Sequence, residues 1–213
     1  QMCIRDSIDI DKYAKLLLKN IDEEFGGFNG APKFMMPNNL IFLLRYSVQE
    51  KQEKSKDKIL STLDKMAYGG IFDHVEGGFS RYSVDERWHI PHFEKMLYDN
   101  GQLMSLYSVG YKISDKDLYK DVVYKIHEYI DSEMKDISGG YYSSLDADSK
   151  LDDGTYAEGE YYSWEKEELE RIIGENFDLF SEYYNVNDNG FWEEENKYVL
   201  IRSISDIEFI NKN

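Results

Sequence analysis

Pairs of glycines followed by a large apolar residue recur along this chain: Gly26-Gly27-Phe28, Gly69-Gly70-Ile71, Gly77-Gly78-Phe79 and Gly139-Gly140-Tyr141, with a weaker echo at Asn189-Gly190-Phe191-Trp192. Glycine ends a helix cheaply because it tolerates left-handed backbone, and the next apolar side chain packs back over the last turn. The stretches between these stops carry helical period. Ile10, Tyr13, Ala14, Leu17, Ile21 and Phe25 fall on one stripe, Leu40, Leu43 and Leu44 follow Pro37, and Ile59, Leu63, Met66 and Ala67 precede Gly69. The polar run Gln49 to Asp57 is expected as a loop. Pro91 predicts the first turn of a fourth helix, whose stripe is Phe93, Met96, Leu97, Leu103, Met104, Tyr107 and Tyr111, with Asn100 among them as a buried brace. A fifth is expected from Asp115 through Tyr119, Val122, Val123, Ile126 and Ile130, and two shorter ones at Trp164 to Ile173 and Phe177 to Tyr184.

Helix pairs repeated in this way stack into a superhelix or close into a ring. Solenoid repeats are short and uniform, whereas these units are irregular and two of their loops, Gly69 to Ile90 and Gly139 to Tyr162, are long and chemically loaded. That favours a mainly α chain forming part of an α/α toroid, with the loops at one mouth. Tyr141-Tyr142-Ser143-Ser144 and Glu160-Tyr161-Tyr162-Ser163 flank Asp152-Asp153-Gly154 and are expected to make a small β-hairpin.

Composition narrows the partners. Acidic residues outnumber basic ones 42 to 25, for a net charge of -17, which repels a phosphate backbone and argues against nucleic acid. No apolar run approaches the roughly 20 residues of a membrane helix. Cys3 is the only cysteine, which excludes an intrachain disulfide and a thiolate cluster and fits a cytoplasmic location. Four histidines without metal spacing argue against a zinc site, and no cofactor is implied. Residues 1–7, QMCIRDS, match nothing that follows and are expected to be a non-native leader, leaving 8–213 as one piece of a toroid domain.

Three stretches carry a family resemblance: Gly26 to Phe34 (GGFNGAPKF), Gly69 to Asn100 (GGIFDHVEGGFSRYSVDERWHIPHFEKMLYDN) and Gly139 to Ser149 (GGYYSSLDADS). The chain resembles the spermatogenesis-associated protein 20 type of thioredoxin-domain-containing proteins. The resemblance implies a toroid similar to six-hairpin glycosidases and sugar 2-epimerases. It also implies thioredoxin-like and distal toroid segments as partners within a longer parent chain. One departure is visible: Tyr198-Val199-Leu200-Ile201 stands where the family usually has an Asn-Val-Leu-His type of ending.

The chemistry concentrates between Asp73 and Asp99. Here Asp73, His74, Arg81, Tyr82, Asp85, His92, Glu94, Tyr98 and Asp99 alternate with aromatic side chains. Proton transfer at a sugar carbon needs a base and an acid tuned near neutral pH. Imidazole meets that need, a carboxylate fixes its tautomer, and a guanidinium can hold a developing oxyanion. His92, expected at the start of the fourth helix, is the first candidate, then Asp73 and His74, with Arg81 as the oxyanion partner and Phe79, Tyr82, Trp88 and Tyr98 as ligand-stacking rings. The competing expectation is a bracing network in which Arg81 pairs with Asp85, Glu94 faces Tyr98 and Lys95 faces Asp99. Asp146 and Asp148, with Glu158 and Glu160 opposite in the hairpin, are candidates for the paired carboxylates of a glycosidase. His89 is a candidate for the same mouth, Trp164 for sugar stacking and His127 for a structural role. The leading expectation is a carbohydrate-active domain of the epimerase or isomerase kind. A glycoside hydrolase built on Asp146 and Asp148 and a non-catalytic scaffold are the alternatives.

Overall fold

Helices form where the apolar stripes fall, and the computed structural model describes residues 9–151 and 153–213. The expected leader, with Cys3, lies outside the described residues, as does the turn residue Asp152. Helix α1 (Ile10–Lys19) is capped by Asp9, whose Oδ1 accepts from Lys12 N at 2.9 Å. It stops before the stripe does: Ile21 leaves the helix and pairs with Phe28 across the first glycine loop. Helix α2 (Pro37–Gln49) starts on proline as expected. Helix α3 (Glu53–Tyr68) begins earlier than the polar run suggested, so most of Gln49 to Asp57 is helical and only residues 50–52 link the pair. Lysine and glutamate are good helix formers, and a polar face needs no core.

Helix α4 spans Leu97–Ser114 and α5 spans Asp117–Glu133. Within each hairpin α2 packs on α3 and α4 on α5. Between hairpins α2 packs on α4 and α3 on α5, giving two layers. That layering is the repeating unit of an α/α toroid, and the described residues form part of one. The shared core includes Leu40, Leu43, Leu63, Leu103, Leu106 and Ile126, all fully buried. Each such side chain contributes about 1.5–3 kcal/mol by leaving water. Buried tyrosines tie the hairpins together: Tyr107 Oη donates to Leu63 O at 2.8 Å, and Tyr119 Oη lies 2.8 Å from Leu60 O and 2.7 Å from Asp64 Oδ1. Gly110 permits the close approach, since a Cβ there would sit 2.9 Å from Leu63 Cδ2.

The loops hold short strands. β1 (Lys33–Phe34), β2 (Tyr82–Ser83) and β3 (Pro91–His92) make an antiparallel sheet in that order, with Tyr82 opposite both Phe34 and His92. β4 (Lys95–Met96) pairs with β5 (Ser144–Leu145). The expected start of α4 at Pro91 is therefore corrected to Leu97, because residues 91–96 find ladder partners in two loops and stay extended. The expected hairpin exists in a different register: β6 (Asp148–Lys150) pairs with β7 (Tyr156–Glu158), setting Asp148 opposite Glu158. Gly159 breaks the strand with φ +72, and Glu160–Tyr162 is a short 3-10 turn rather than a strand. A further lobe carries α6 (Lys166–Ile173), α7 (Phe177–Tyr183), the pair β8 (Phe191–Trp192) and β9 (Lys197–Tyr198), and α8 (Asp206–Lys212). Leu169, Val186 and Leu200 are its buried centre.

Candidate functional site

Two of the glycine loops are built alike. In the first, Asp22 N donates to Gly27 O and Gly26 N to Asp22 O, while Asp22 Oδ1 accepts from Glu24 N and Phe25 N. In the second, Asp73 N donates to Gly78 O and Gly77 N to Asp73 O, while Asp73 Oδ1 accepts from Val75 N and Glu76 N. Each aspartate then receives a buried lysine. Lys33 Nζ lies 2.7 Å from Asp22 Oδ2, and Lys95 Nζ lies 2.7 Å from Asp73 Oδ2. Lys33 is 1% exposed and lies over the Trp88 ring; Lys95 is 1% exposed and lies between the rings of Tyr129 and Tyr162. Buried charge must be paired, so these lysines bolt each loop shut. Asp73 is thus a brace, not the free acid–base group expected.

His74 is buried. Its Nε2 lies 3.2 Å from both Tyr68 O and Gly69 O, so that nitrogen carries the proton. Burial, with Arg202 and Lys125 nearby, drives its pKa down to about 4 and keeps the ring neutral. Asp73 and His74 line a cavity of about 400 Å³ together with Phe93, Tyr161, Tyr162 and Trp164. Trp164 thus faces a cavity, whereas Phe79 and Trp88 do not face solvent at all. Both are 0% exposed: Phe79 stacks on Tyr107, and Trp88 Nε1 donates to Phe25 O at 2.9 Å. Their expected role as stacking rings is corrected to core packing. His89 is buried as well, and His127 is exposed rather than structural.

His92 lies elsewhere. Side chains alternate along extended backbone, so Pro91 and Phe93 face the cavity of Asp73 and His74 while His92 and Glu94 face the opposite rim. There His92 Nδ1 lies 2.7 Å from Glu158 Oε1, and its ring stacks on Tyr82 at 4.9 Å, with Phe34 on Tyr82 at 4.9 Å in turn. A carboxylate at Nδ1 requires the proton there and leaves Nε2 as the lone-pair nitrogen of the neutral ring. Asp148, opposite Glu158, adds a second carboxylate. Asp146 is exposed, and its Oδ1 accepts from Asp148 N at 3.1 Å, a turn-forming bond.

Arg81 Nη1 donates to Glu94 Oε2 at 3.0 Å, in place of the expected pairing with Asp85. Asp85 instead accepts from the backbone of Arg87, His89 and Ile90. The expected Glu94–Tyr98 and Lys95–Asp99 neighbours are also replaced, because residues 94–96 are not helical. Asp99 and Arg81 line a groove with Phe34, Met36 and Gln102. Burial pushes the Asp99 carboxyl up to about 6, Arg81 pulling against it and Glu94 adding to it. Tyr98 stands half exposed beside it. Asn100 is the expected brace, with Oδ1 accepting from Phe79 N at 2.7 Å and Nδ2 donating to Phe79 O and Met96 O at 3.0 Å.

Geometry therefore divides the expected constellation in two. Asp73 and His74 belong to an inner cavity. His92, Tyr82, Arg81, Tyr98 and Asp148, joined by Glu158 and Asp99, belong to the outer rim. Among the described residues no group of three or more His, Cys, Asp or Glu is placed to hold a metal ion, and no helix is long and apolar enough to cross a membrane.

Stacked α-hairpins with their ionisable and aromatic groups gathered in the glycine loops define a mainly α, partial α/α toroid. The chain belongs to the spermatogenesis-associated protein 20 family. It is 44% identical to spermatogenesis-associated protein 20 of Homo sapiens over 159 residues, and 45% identical to that of Mus musculus, matching 72% of this chain and 20% of each relative. An uncharacterised Caenorhabditis elegans protein is 39% identical over 212 residues, 89% of this chain and 29% of its own. The chain thus spans less than a third of the length of these curated relatives. No family model matches it. Among solved structures, cellobiose 2-epimerase from Bacillus thermoamylovorans overlaps 70% of this chain and 46% of its own at a TM-score of 0.49 and 14% identity, a distance at which the likeness bears on neither substrate nor mechanism.

Proposed function

We propose that the chain supplies part of the ligand-handling mouth of a carbohydrate-active α/α toroid, and that His92 transfers protons there. The observation that carries this is the dyad: His92 Nδ1 at 2.7 Å from Glu158 Oε1, held flat on Tyr82, with Nε2 making no hydrogen bond among the described residues. A carboxylate behind an imidazole fixes its tautomer and stabilises the charge it gains. Rings such as Tyr82 and Phe34 offer a platform for a polar ring-shaped ligand. Over that platform Nε2 takes the proton from the carbon beside an open-chain sugar carbonyl. The C–H electron pair moves into the enediolate, and the His92 imidazolium, after exchanging with solvent, returns a proton to it. The substrate class rests on the resemblance of the glycine loops to those of the family, whose toroid is similar to sugar-handling ones.

The test is incubation of the full chain with aldoses, ketoses and disaccharides in deuterated water. Deuterium at C2 is expected, lost with His92→Ala and reduced about 100-fold or more with Glu158→Gln. Absence of both exchange and cleavage on every sugar, or exchange untouched by His92→Ala, overturns the proposal. A non-catalytic binding module is the second reading. It is favoured by the pairing of Asp73 with Lys95 and of Arg81 with Glu94, which commits those charges to holding loops. Sugar binding without exchange is its expected signature.

A further inference from the structure

The inner cavity that Asp73 and His74 line takes no part in the chemistry of the rim. It holds about 400 Å³, within the range of small-molecule sites. Two of its polar side chains are more than nine-tenths buried: His74 is 7% exposed and Ser80 4%. Both come from the second glycine loop, on either side of the Phe72–Phe79 bridge. His74 uses Nε2, with its proton, on the Tyr68 and Gly69 carbonyls, so Nδ1 is left as a pure acceptor. Neither Nδ1 nor Ser80 Oγ makes a hydrogen bond among the described residues. The buried side-chain atoms that are both unbonded and sealed from solvent are Ser47 Oγ, His89 Nε2, Tyr129 Oη and Arg202 Nε. His74 Nδ1 and Ser80 Oγ are not among them, so both are open to the cavity that their residues line.

The walls decide what can meet these two groups. An anion offers acceptors where His74 Nδ1 needs a donor, and Glu76 and Glu168 on the same walls repel it. An ammonium has the protons, but burial, Arg202 and Lys125 all oppose positive charge at this ring, Lys125 Nζ lying 2.8 Å from His74 O. A neutral hydroxyl donates to Nδ1 without adding charge, and Ser80 can give or take a bond. Acceptors predominate on the rest of the wall. Glu76 Oε1 takes the Tyr161 hydroxyl at 2.6 Å and leaves Oε2 unbonded, and Glu168 makes no hydrogen bond or ion pair among the described residues. Asp73 and Glu160 are already paired, with Lys95 and Lys197, and Lys150 is the one cationic side chain among the described residues of the wall. Several acceptors facing one space call for several donors on the ligand. Phe93, stacked on Tyr162 at 5.7 Å, and Trp164 give its C–H faces a place to lie.

We propose that this cavity binds a neutral polyhydroxylated small molecule, with one hydroxyl donating to His74 Nδ1, Ser80 Oγ bonding a further oxygen, and Glu76 and Glu168 accepting from hydroxyls at the half-exposed part of the wall. The occupant is held and not transformed. His74, with a pKa of about 4, is too weak a base to take a proton from carbon near neutral pH. Pro91 and Phe93 face this cavity while His92 between them faces the rim, so the site is separate from the dyad and stands whether or not the dyad reacts.

The experiment titrates the full chain with glucitol and with myo-inositol, neither of which has a carbonyl for the His92 dyad to act on. Glucamine and gluconate, the cationic and anionic counterparts of glucitol, are titrated at the same ionic strength. The ¹⁵N resonance of His74 Nδ1 and calorimetry are the readouts. A saturable shift of that resonance is expected with a neutral polyol, and weaker binding of glucamine and gluconate. Ser80→Ala removes a hydroxyl that has no internal partner, and Glu168→Ala alters a half-exposed side chain of α6. Each is expected to weaken binding about three- to tenfold, with urea unfolding showing the fold intact, while His92→Ala leaves the shift unchanged. No shift with either neutral polyol overturns the proposal, as does binding that both Ser80→Ala and Glu168→Ala leave untouched. Tighter binding of glucamine or gluconate overturns it too, and so does a shift lost in His92→Ala, which moves the ligand to the rim.

Discussion

Acid sensitivity should be written into the fold by His74. Its imidazole is buried, with Nε2 donating toward two carbonyls and a pKa of about 4, against about 6.5 in an unfolded chain. Above pH 6.5 both states hold the neutral ring. As pH falls from 6.5 toward 4, the unfolded chain takes a proton that the folded chain refuses, so stability drops across that window and levels off below it. The gap corresponds to about 3 kcal/mol lost by pH 4, a large share of a domain's net stability. His74→Gln keeps an N–H donor for the Tyr68 and Gly69 carbonyls and removes the titration. Urea unfolding of both chains between pH 7 and pH 4 isolates the effect, because every other group is common to the pair and cancels in the difference. That includes Asp99, whose raised pKa of about 6 acts with opposite sign, losing stability as pH rises through 4 to 6. The variant should be destabilised at pH 7 by whatever packing it loses, and should gain on the parent by about 3 kcal/mol on acidification. A stability difference that stays flat from pH 7 to pH 4 refutes the reasoning.

Two stability predictions concern the loops and α4. Lys95→Met leaves Asp73 charged and nearly dry, and should cost about 3–5 kcal/mol in denaturant unfolding; adding Asp73→Asn should recover part of that loss. Gly101 sits inside α4 with open space where a Cβ would be, so Gly101→Ala should raise stability by about 0.5–1 kcal/mol. A loss in place of that gain means that another surface packs against α4 at this point.

Helical hairpins were legible because their signal is local. Leu40, Leu43 and Leu44, or Tyr119, Val122 and Ile126, announce their buried face by spacing alone, and all are buried. Strands of two residues carry no period. Pro91 looked like a helix start because proline suits a first turn, yet its ladder partner is Ser83, earlier in the same connection, and the partner of Lys95 is Leu145 in a distant loop. That single error moved His92 from a helix to a strand and paired Glu94 and Lys95 with the wrong neighbours. Exposure was equally hidden: Trp88 and Phe79 look like ligand rings by composition, and only the close approach of Trp88 to Gly27 reveals why it is core.

One signal was present and missed. Asp22-Glu-Glu-Phe-Gly-Gly-Phe and Asp73-His-Val-Glu-Gly-Gly-Phe share an aspartate four residues ahead of their glycines, and each is followed by a lysine, Lys33 and Lys95, that returns to it. The spacing to the lysine differs between the two loops, so no fixed motif emerges, but the physics is the same. A loop that must leave a helix end, turn through left-handed glycines and come back has many unpaired backbone groups. An aspartate collects the N–H groups, a buried lysine neutralises the aspartate and collects a carbonyl, and aromatic rings seal the ammonium. Asp136 begins a third such loop, with Asp136 N donating to Gly140 O and Ser138 N to Asp136 Oδ1 at 2.8 Å, but a tyrosine hydroxyl, Tyr142 Oη, meets it at 2.7 Å in place of a lysine. The loops therefore repeat for a structural reason, and the side chains free to act are those the repeat does not consume: His92 with Glu158 at the rim, and Asp99 in its own groove with Arg81.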